Sequence, residues 1–269
     1  MDKKSGFQIN TQSIEFYEQH VVPNLFEPFA KALIESINLQ NASCVLDAAC
    51  GTGIVLRKVH EAVQGNITLI GIDINEDMIN AAKSLSPKAG NKILWHTKSV
   101  AETGFDNNFF DTILCQQGIQ YFPDQTKALN EFYRIMQKNG RLLMTVWTQH
   151  SPLTLALTEA LNLYVSEEAA QKMNAQRQPP PIEDLINTMN KLGFQKISVK
   201  TQALDLVLPT VKEYVPYHLK SLPVAKLYNQ LKPEERETFL SEIERKLQAY
   251  TNGCNLIIPD SVYRIVGYK

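Results

Sequence analysis

Asp47 and the two glycines that follow it are the residues of this sequence best suited to hold a ligand. Asp47 ends an apolar run that starts at Cys44, and a small-residue loop containing Gly51 and Gly53 leads into a helical pattern over residues 54–63. Glycine lets the backbone turn tightly and approach a ligand with no Cβ atom in the way. An acidic residue and a Gly-x-Gly loop between a buried strand and a helix are typical of a nucleotide-sized ligand at the carboxyl end of a parallel strand. A tight turn without a ligand is the alternative.

Asp73 is the second acidic residue with a ligand-like setting. It ends another apolar run, over residues 67–72, and lies twenty residues after Gly53. A carboxylate at a spacing of about 20 residues accepts hydrogen bonds from ribose hydroxyls in nucleotide sites. Ile74 and Met78 follow Asp73 and suit the faces of an adenine ring. The alternative is that Asp73 only caps the helix that begins after it.

The sequence after the first glycine disfavours a dinucleotide. A dinucleotide site needs G-x-G-x-x-G, but the residues from Gly51 are GTGIVL, with Leu56 where the third glycine packs a helix against a strand. A nicotinamide-dependent oxidoreductase is therefore the less favoured alternative. S-adenosylmethionine fits better, because it has no phosphates and needs room only for an amino-acid tail and a sulfonium.

Strand and helix patterns alternate over residues 44–147 and predict a doubly wound α/β sheet. Apolar strand patterns recur at 112–122 and 141–147, and a one-sided helical pattern covers 125–138 between them. Outside this region, we predict helices over 13–36, 153–165, 182–192 and 212–250, and strands over 197–208 and 255–268.

Four stretches of the chain, taken in order, resemble the successive motifs of the class I S-adenosylmethionine-dependent methyltransferases. They are VLDAACGTG, GIDINEDMINAA, FFDTILCQQGIQYFPD and RIMQKNGRLLMTVW. The similarity is greatest to the small-molecule subgroup that resembles the enzymes of ubiquinone and menaquinone biosynthesis. It implies a Rossmann-like, mostly parallel seven-stranded sheet with an antiparallel last strand and a helical cap. The motifs are specific for cofactor and fold and not for the substrate.

Most of the candidate cofactor-binding residues are those that the resemblance carries over to this chain. They are Tyr17, Asp47, Ala49, Gly51, Gly53, Asp73, Ile74, Met78, Ser99, Val100, Ala101 and Gln116. Ala49 replaces the first glycine of the family motif. Ser99 replaces a carboxylate that accepts from the adenine amino group, and a neutral hydroxyl makes a weaker contact. Tyr17 is expected to close over the amino-acid tail.

Methyl transfer from a sulfonium requires mainly that the protein position the two reactants. The acceptor atom attacks the methyl carbon in line with the departing sulfur, so near-attack geometry and exclusion of water do most of the work. We expect Gln117, Gln120, Tyr121 and Trp147 to bind the substrate. His150 is the candidate general base, because its reference pKa is near neutral, and His20 and His218 are further candidates. Residues 116–120 and 147–150 carry no carboxylate cluster, so we predict no metal.

Composition is consistent with a globular enzyme acting on a small molecule. The chain has 269 residues, 44% of them hydrophobic, and a formal net charge of −1. It has no basic cluster interleaved with aromatic residues, which disfavours a nucleic-acid substrate. We expect a cytoplasmic protein without a membrane segment, because no apolar stretch is long enough to span a bilayer. The four cysteines have no C-x-x-C spacing, and buried free thiols are expected.

We predict a single methyltransferase domain over residues 1–269. Its core is assigned to 37–148, 193–210 and 254–269, and its helical cap to 1–36, 149–192 and 211–253. The long helical insertion at 211–250 and the amino-terminal helix are interpreted as a lid, the alternative being a dimer contact or simple packing. The oligomeric state is open between monomer and homodimer. The acceptor provides an O, N or C nucleophile, and a non-catalytic S-adenosylmethionine-binding protein remains the alternative function.

Overall fold

A mixed sheet of seven strands runs through the centre of the structure. The structure is a computed structural model that describes residues 11–63 and 65–269, except for the side chains of residues 11 and 12. In chain order the strands are β1 Cys44–Ala48, β2 Thr68–Asp73, β3 Ile93–Thr97, β4 Phe110–Gln116, β5 Met136–Trp147, β6 Gln195–Leu208 and β7 Leu256–Tyr268. Across the sheet the order is β3-β2-β1-β4-β5-β7-β6. The first five strands are parallel, and β7 is antiparallel to both of its neighbours, which confirms the predicted fold class.

The helices lie between successive strands and in the segments that flank the sheet. They are α1 Thr11–Phe16, α2 Glu27–Glu35, α3 Ile54–Ala62, α4 Glu76–Ser84, α5 Gln125–Ile135, α6 Pro152–Tyr164, α7 Glu167–Ala175, α8 Ile182–Leu192, α9 Val211–Lys220, α10 Ala225–Tyr228 and α11 Pro233–Lys246. A π-helix, Tyr17–Phe26, joins α1 to α2, and short 3-10 helices cover Ile119–Tyr121 and Gln248–Tyr250.

Strand side chains alternate between two apolar layers, as the period of two requires. Val45 belongs to a buried cluster with α2, α3 and α4 on one face of the sheet. Its neighbour Leu46 belongs to a cluster with α5 and α8 on the opposite face. A third buried cluster joins α6, α7, α9 and α11 to parts of β6 and β7. The helices outside the central alternation therefore have an apolar core of their own.

Two predicted helices are interrupted in the structure. The middle of the segment 13–36 is π-helical, and Pro23, which has no N–H to donate, lies inside that part. The segment 212–250 is divided among α9, α10 and α11, with Pro223 between the first two and Pro233 in the first turn of the last. Strand β3 and helix α7 were not predicted, because β3 lies at the sheet edge with alternate residues exposed and α7 is a short polar segment.

The membrane segments and the cysteines, two features discussed from the sequence, can be examined in the structure. In the ranges 11–63 and 65–269, no helix combines the length and hydropathy needed to traverse a lipid bilayer. Cys44, Cys50 and Cys115 are buried with free thiols, and Cys254 is exposed.

Candidate functional site

A cavity of about 470 Å³ lies where the carboxyl ends of the parallel strands meet the surrounding helices. The loops after β1, β2, β3 and β4 and the end of β5 supply one wall. The π-helix, the end of α7 and the end of α9 supply the opposite wall. This is the position in an open α/β sheet where ligands bind.

The loop after β1 shows why two glycines stand there. Gly51 and Gly53 both have left-handed backbone angles, with φ of 53° and 87°. A Cβ atom on Gly51 would meet nothing within 4 Å, and Gly51 borders the cavity. A Cβ atom on Gly53 would lie 2.3 Å from the indole ring of Trp95, and Gly53 does not line the cavity. The missing side chain of Gly51 therefore leaves space for a ligand in the cavity. The missing side chain of Gly53 leaves space for the Trp95 ring in the apolar core.

Asp47 is a buried carboxylate in the wall of this cavity. Its side chain is 1% exposed, and neither carboxylate oxygen has a hydrogen-bond partner. Burial raises the pKa of Asp47 well above its usual value, and the nearby charge of Asp73 raises it further. Because an unpaired buried charge is costly, the site is suited to a ligand that brings a cation or a donor to Asp47.

Asp73 holds the glycine loop in place from the end of β2. One oxygen, Oδ2, accepts from the amide of Gly51 at 2.9 Å, and Oδ1 accepts from the amide of Asn75 at 2.9 Å. Burial raises the pKa of Asp73, and these backbone hydrogen bonds lower it in part. The backbone of Ile74 also donates to this carboxylate, which leaves one of its four lone pairs for a ligand donor. The carboxylate therefore shapes the loop and borders the cavity at once.

Apolar and small residues form the rim beside Asp73. Ile74 lies in the cavity wall although 60% of it is exposed, and the buried Met78 lies in the wall as well. Ser99, Val100 and Ala101 line the same region. The Ser99 hydroxyl accepts from the amide of Ala101 at 3.2 Å. A flat apolar ligand group fits between these side chains, with a single side-chain hydroxyl at its edge.

The loop after β4 contains a strained residue at the cavity. Gln117 has a φ of 44°, which side chains other than glycine rarely adopt, and its amide donates to Thr145 at 2.9 Å. Its side chain is buried, and the side-chain amide has no partner. Strain of this kind persists where the surrounding structure enforces it, often at functional sites. Gln116 lines the same region and donates through Nε2 to the carbonyl of Phe26 at 3.1 Å.

The opposite wall is mainly apolar but contains one cationic group. Arg177 donates from Nη2 to both carboxylate oxygens of Asp260 at 2.6 Å. Its guanidinium carbon lies 3.6 Å from the centre of the Trp147 ring. His218 lines the cavity nearby, and burial together with the Arg177 charge lowers the pKa of His218 to about 3. Tyr121 lies beside them and donates to the carbonyl of Gln176 at 2.7 Å.

Comparisons with known proteins find a methyltransferase domain and several methyltransferases among the relatives. A profile described as "Methyltransferase domain" matches residues 45–140. The chain is 30% identical to a demethylmenaquinone methyltransferase of Staphylococcus epidermidis over 141 residues, which cover 52% of this chain and 54% of that protein. It is 22% identical to the nocamycin O-methyltransferase of Saccharothrix syringae over 241 residues, 85% of this chain and 86% of that protein. The first of these matches thus covers about half of the relative's own length.

A solved structure has the same fold. Phosphoethanolamine N-methyltransferase 2 of Haemonchus contortus, in complex with S-adenosyl-L-methionine, superposes with a TM-score of 0.58 and 18% identity, covering 97% of this chain and 57% of that one. The matched domain and the relatives support a class I S-adenosylmethionine-dependent methyltransferase. They support S-adenosylmethionine as the cofactor.

The acidic side of the cavity fits that cofactor. Asp47 has two buried oxygens without donors, and the cofactor carries an ammonium group. Asp73 has a lone pair left for a hydroxyl donor. Gly51 presents no Cβ atom to a ligand, and its own amide is already held by Asp73. The donor groups of the cofactor thus have complements in the wall of the cavity.

The structure brings most of the candidate residues to the cavity. Those in its wall are Tyr17, Asp47, Ala49, Gly51, Asp73, Ile74, Met78, Ser99, Val100, Ala101, Gln116, Gln117, Tyr121 and Trp147. Four candidates lie outside the wall: Gly53, Gln120, His150 and His20. Gly53 is required by the packing of Trp95. His150 contacts the carbonyl of Asn174 through Nε2 at 3.2 Å, and its role as a general base stays a prediction.

Sequence reasoning missed Arg177 and the apolar residues around it. The residues of the opposite wall that it did not identify include Val21, Leu25, Phe26, Met173, Gln176, Arg177 and Leu222. Arg177 directly precedes a proline-rich stretch, and its partner Asp260 lies 83 positions later in the chain. A separation of that length leaves no local pattern. Only the pairing of β7 with the cap reveals it.

Proposed function

We propose that this protein transfers the methyl group of S-adenosylmethionine to a small, largely apolar acceptor. The observation that carries this proposal is the division of the cavity into two walls. The wall at the strand ends holds Asp47 and Asp73, whereas the opposite wall is lined by residues such as Val21, Leu25 and Met173. The acceptor would lie against that apolar wall and beside Trp147.

The proposed roles of the cofactor-side residues follow from their chemistry. When bound, S-adenosylmethionine supplies an electrophilic methyl group on a sulfonium. Asp47 would receive the ammonium of the amino-acid tail, and Asp73 would accept from a ribose hydroxyl. Ile74 and Met78 would pack on the adenine, with the Ser99 hydroxyl near its amino group. These contacts fix the position of the reacting end without a covalent step by the protein.

The acceptor-side residues would position and shield the nucleophile. Tyr17 and Tyr121 both have a pKa raised by burial, Tyr121 to about 12, so they keep their protons near neutral pH and do not act as bases. His218, with a pKa lowered to about 3, stays neutral there and is a weak proton acceptor. The π-helix and α9 would therefore increase the rate mainly by positioning the reactants and by excluding water.

The kind of acceptor is also proposed from the surface and the relatives. A net charge of −1 supports a small molecule rather than a nucleic acid. The relatives named above act on a demethylmenaquinone, on nocamycin and on phosphoethanolamine, so family membership leaves the acceptor open. The cap assignment, 1–36, 149–192 and 211–253, is part of this proposal, because those segments supply the acceptor wall.

The test is formation of S-adenosylhomocysteine from S-adenosylmethionine with a panel of small acceptors. The panel should contain apolar compounds with oxygen, nitrogen and activated carbon nucleophiles, quinols among them. We expect turnover with a subset of the apolar members and none with oligonucleotides. Tight cofactor binding without turnover on any member would favour the alternative of a non-catalytic S-adenosylmethionine-binding protein.

A further inference from the structure

The cation in the acceptor wall has an unusual environment. Arg177 and Asp260 are each 6% exposed and form an ion pair between β7 and the loop after α7. The guanidinium also lies over the ring of Trp147, with 3.6 Å between the guanidinium carbon and the ring centre. Such a planar stack, together with the carboxylate, fixes the orientation of the arginine.

Arg177 has donors to spare in this position. A guanidinium has five N–H donors. The side-chain hydrogen bonds of Arg177 all run from Nη2 to Asp260, and Nε has no partner. A buried donor without an acceptor costs free energy. Nη1 makes no hydrogen bond with the described residues, so its donors are available to an acceptor group in the adjoining cavity, which Arg177 lines.

Stability alone does not explain the pair. Replacing a buried ion pair by apolar residues of similar volume is often neutral or stabilising, because desolvation offsets the attraction. The surrounding cluster, with Leu206, Tyr214 and Ile258, is apolar and would accommodate such a replacement. Packing and stability alone therefore do not account for a buried ion pair at this position.

The charges along the cavity suggest that reason. The strand ends and the loops after them carry Asp47 and Asp73, which suit a cationic ligand, and also Asp124 and Lys98, whose ammonium donates to the carbonyl of Thr103. Arg177 lies after α7, in the apolar part of the wall.

His218 stands beside Arg177, and its Nδ1 is 3.4 Å from the hydroxyl of Tyr214. The buried hydroxyl of Tyr214 is assigned as the donor to Nδ1. In that tautomer Nε2 of His218 carries the proton and is a second donor beside Arg177. The acceptor side therefore offers donors, in an otherwise apolar wall.

We propose that Arg177, oriented by Asp260 and Trp147, recognises the methyl acceptor, and that the acceptor is an apolar molecule with an anionic oxygen group. This inference rests on the proposed function and adds the substrate class. A carboxylate and an ionised hydroxyl share the chemistry that Arg177 recognises. An ionised hydroxyl would also be favoured beside a cation, because an opposite charge within about 4–6 Å lowers the pKa of an acid. In this assignment Arg177 binds substrate and Asp260 is a positioning residue.

The test uses isothermal titration of the full chain saturated with S-adenosylhomocysteine. Two pairs of probes are similar in size and shape and differ in charge: naphthalenecarboxylate with naphthalenecarboxamide, and dinitrophenolate with dinitrotoluene. We expect at least one anion to bind about 10-fold more tightly than its neutral partner, a typical effect of a charge-assisted hydrogen bond. The pair that shows the preference identifies the oxygen group as a carboxylate or an ionised hydroxyl.

Variants assign the preference to Arg177. The double variant Arg177→Met with Asp260→Leu removes both charges, and it should lose the anion preference while binding the neutral probes as before. Arg177→Lys keeps the charge and loses the planar donor pair, so it should lose several-fold in anion affinity and serves if the double variant does not fold. Arg236→Met is the matched control, because Arg236 also lies over an aromatic ring, that of Tyr228, outside the cavity wall.

The outcomes separate this inference from the proposed function. Equal binding of anionic and neutral probes by the native protein would overturn the inference while S-adenosylhomocysteine binding leaves the proposed function intact. An anion preference that survives in folded Arg177 variants would also overturn it. Failure of the native protein to bind S-adenosylhomocysteine would overturn the proposed function, and this inference with it.

Discussion

The Asp73 carboxylate is expected to make two kinds of contact, one with the Gly51 amide and one with the cofactor. A single substitution would remove both. The carboxylate anchors the amide of Gly51 and borders the region where ribose hydroxyls are proposed to lie. We expect Asp73→Ala to weaken S-adenosylhomocysteine binding by roughly 1.5–3 kcal/mol, the range for hydrogen bonds to a charged group. Isothermal titration measures this, with Asp77→Ala as control, because Asp77 is an exposed acid on the same loop and helix. Equal affinities for the two variants would contradict the role given to Asp73.

Asp47 should make the cofactor-free protein sensitive to pH. Its pKa is raised in the folded protein by burial and by Asp73, so the folded state keeps a proton that the unfolded chain has released. The corresponding stability is present below the ordinary carboxyl pKa of about 3.9 and is lost as the pH rises through the folded-state pKa. Asp47→Asn removes that loss. The variant should therefore gain stability relative to the native protein with rising pH, and should bind S-adenosylmethionine more weakly.

Thermal unfolding of the cofactor-free proteins, from about pH 4 to about pH 8, measures the effect of Asp47. The exposed Asp77→Asn is the control, and its difference from the native protein should change little with pH. If the unfolding temperatures of the native protein and of Asp47→Asn change in parallel with pH, the prediction is contradicted. The buried carboxylate would then be stabilised by a contact other than a cofactor.

At the scale of one loop, the two glycines should respond differently to alanine. Gly53→Ala places a Cβ atom 2.3 Å from the Trp95 ring, so it should cost about 1–3 kcal/mol of unfolding free energy from overpacking, in addition to backbone strain. Gly51→Ala meets no protein atom and should cost only about 1–2 kcal/mol for its left-handed backbone. Its larger effect should be on S-adenosylhomocysteine affinity, because its Cβ atom would occupy ligand space. Denaturant unfolding and titration of both variants test this, and the reverse order of effects would contradict it.

The elements over the cavity should gain protection when the cofactor binds. The π-helix Tyr17–Phe26 contributes Tyr17 and Leu25 to the wall, and the end of α9 contributes His218. Lids come from the low-stability part of a structure, so we expect hydrogen exchange there, and in residues 116–121, to slow with S-adenosylhomocysteine more than in the strands. Helix α11 packs in the same cap, and no residue of it lines the cavity, so it is an internal control. Equal protection with and without ligand would indicate a fixed layer.

Local pattern explains which elements were predictable. Strand β1 and the loop after it were predictable because an apolar run, an acidic residue and two glycines adjoin in the chain. The π-helix was not, because its apolar residues also fit an ordinary helix and only the surrounding structure selects the wider turn. Arg177 and Asp260 meet through packing of the cap against β7, at a separation of 83 residues that no periodicity encodes. The cofactor side could thus be predicted from the sequence, whereas the acceptor side could not.

At the scale of the whole molecule, charge is distributed along one cavity rather than over the surface. The chain is nearly neutral, with 27 basic and 28 acidic residues among Lys, Arg, Asp and Glu. Inside the cavity, Asp47 and Asp73 lie at the strand ends, with Lys98 near them, and Arg177 lies in the apolar part of the wall. A cationic cofactor and an anionic acceptor would thus each meet the opposite charge, and their own charges would attract across the reacting distance. Because these groups are shielded from salt by burial, the attraction should persist at physiological ionic strength.

Isothermal titration of the native protein with S-adenosylmethionine, S-adenosylhomocysteine and NAD tests the central claim most directly. The fold alone is compatible with either kind of cofactor, and the residues around Gly51 and Leu56 distinguish them. We expect both sulfur compounds to bind at one site per chain and NAD to give no heat of binding. Tight binding of NAD, with no response to S-adenosylhomocysteine, would contradict the assignment of this cavity to methyl transfer.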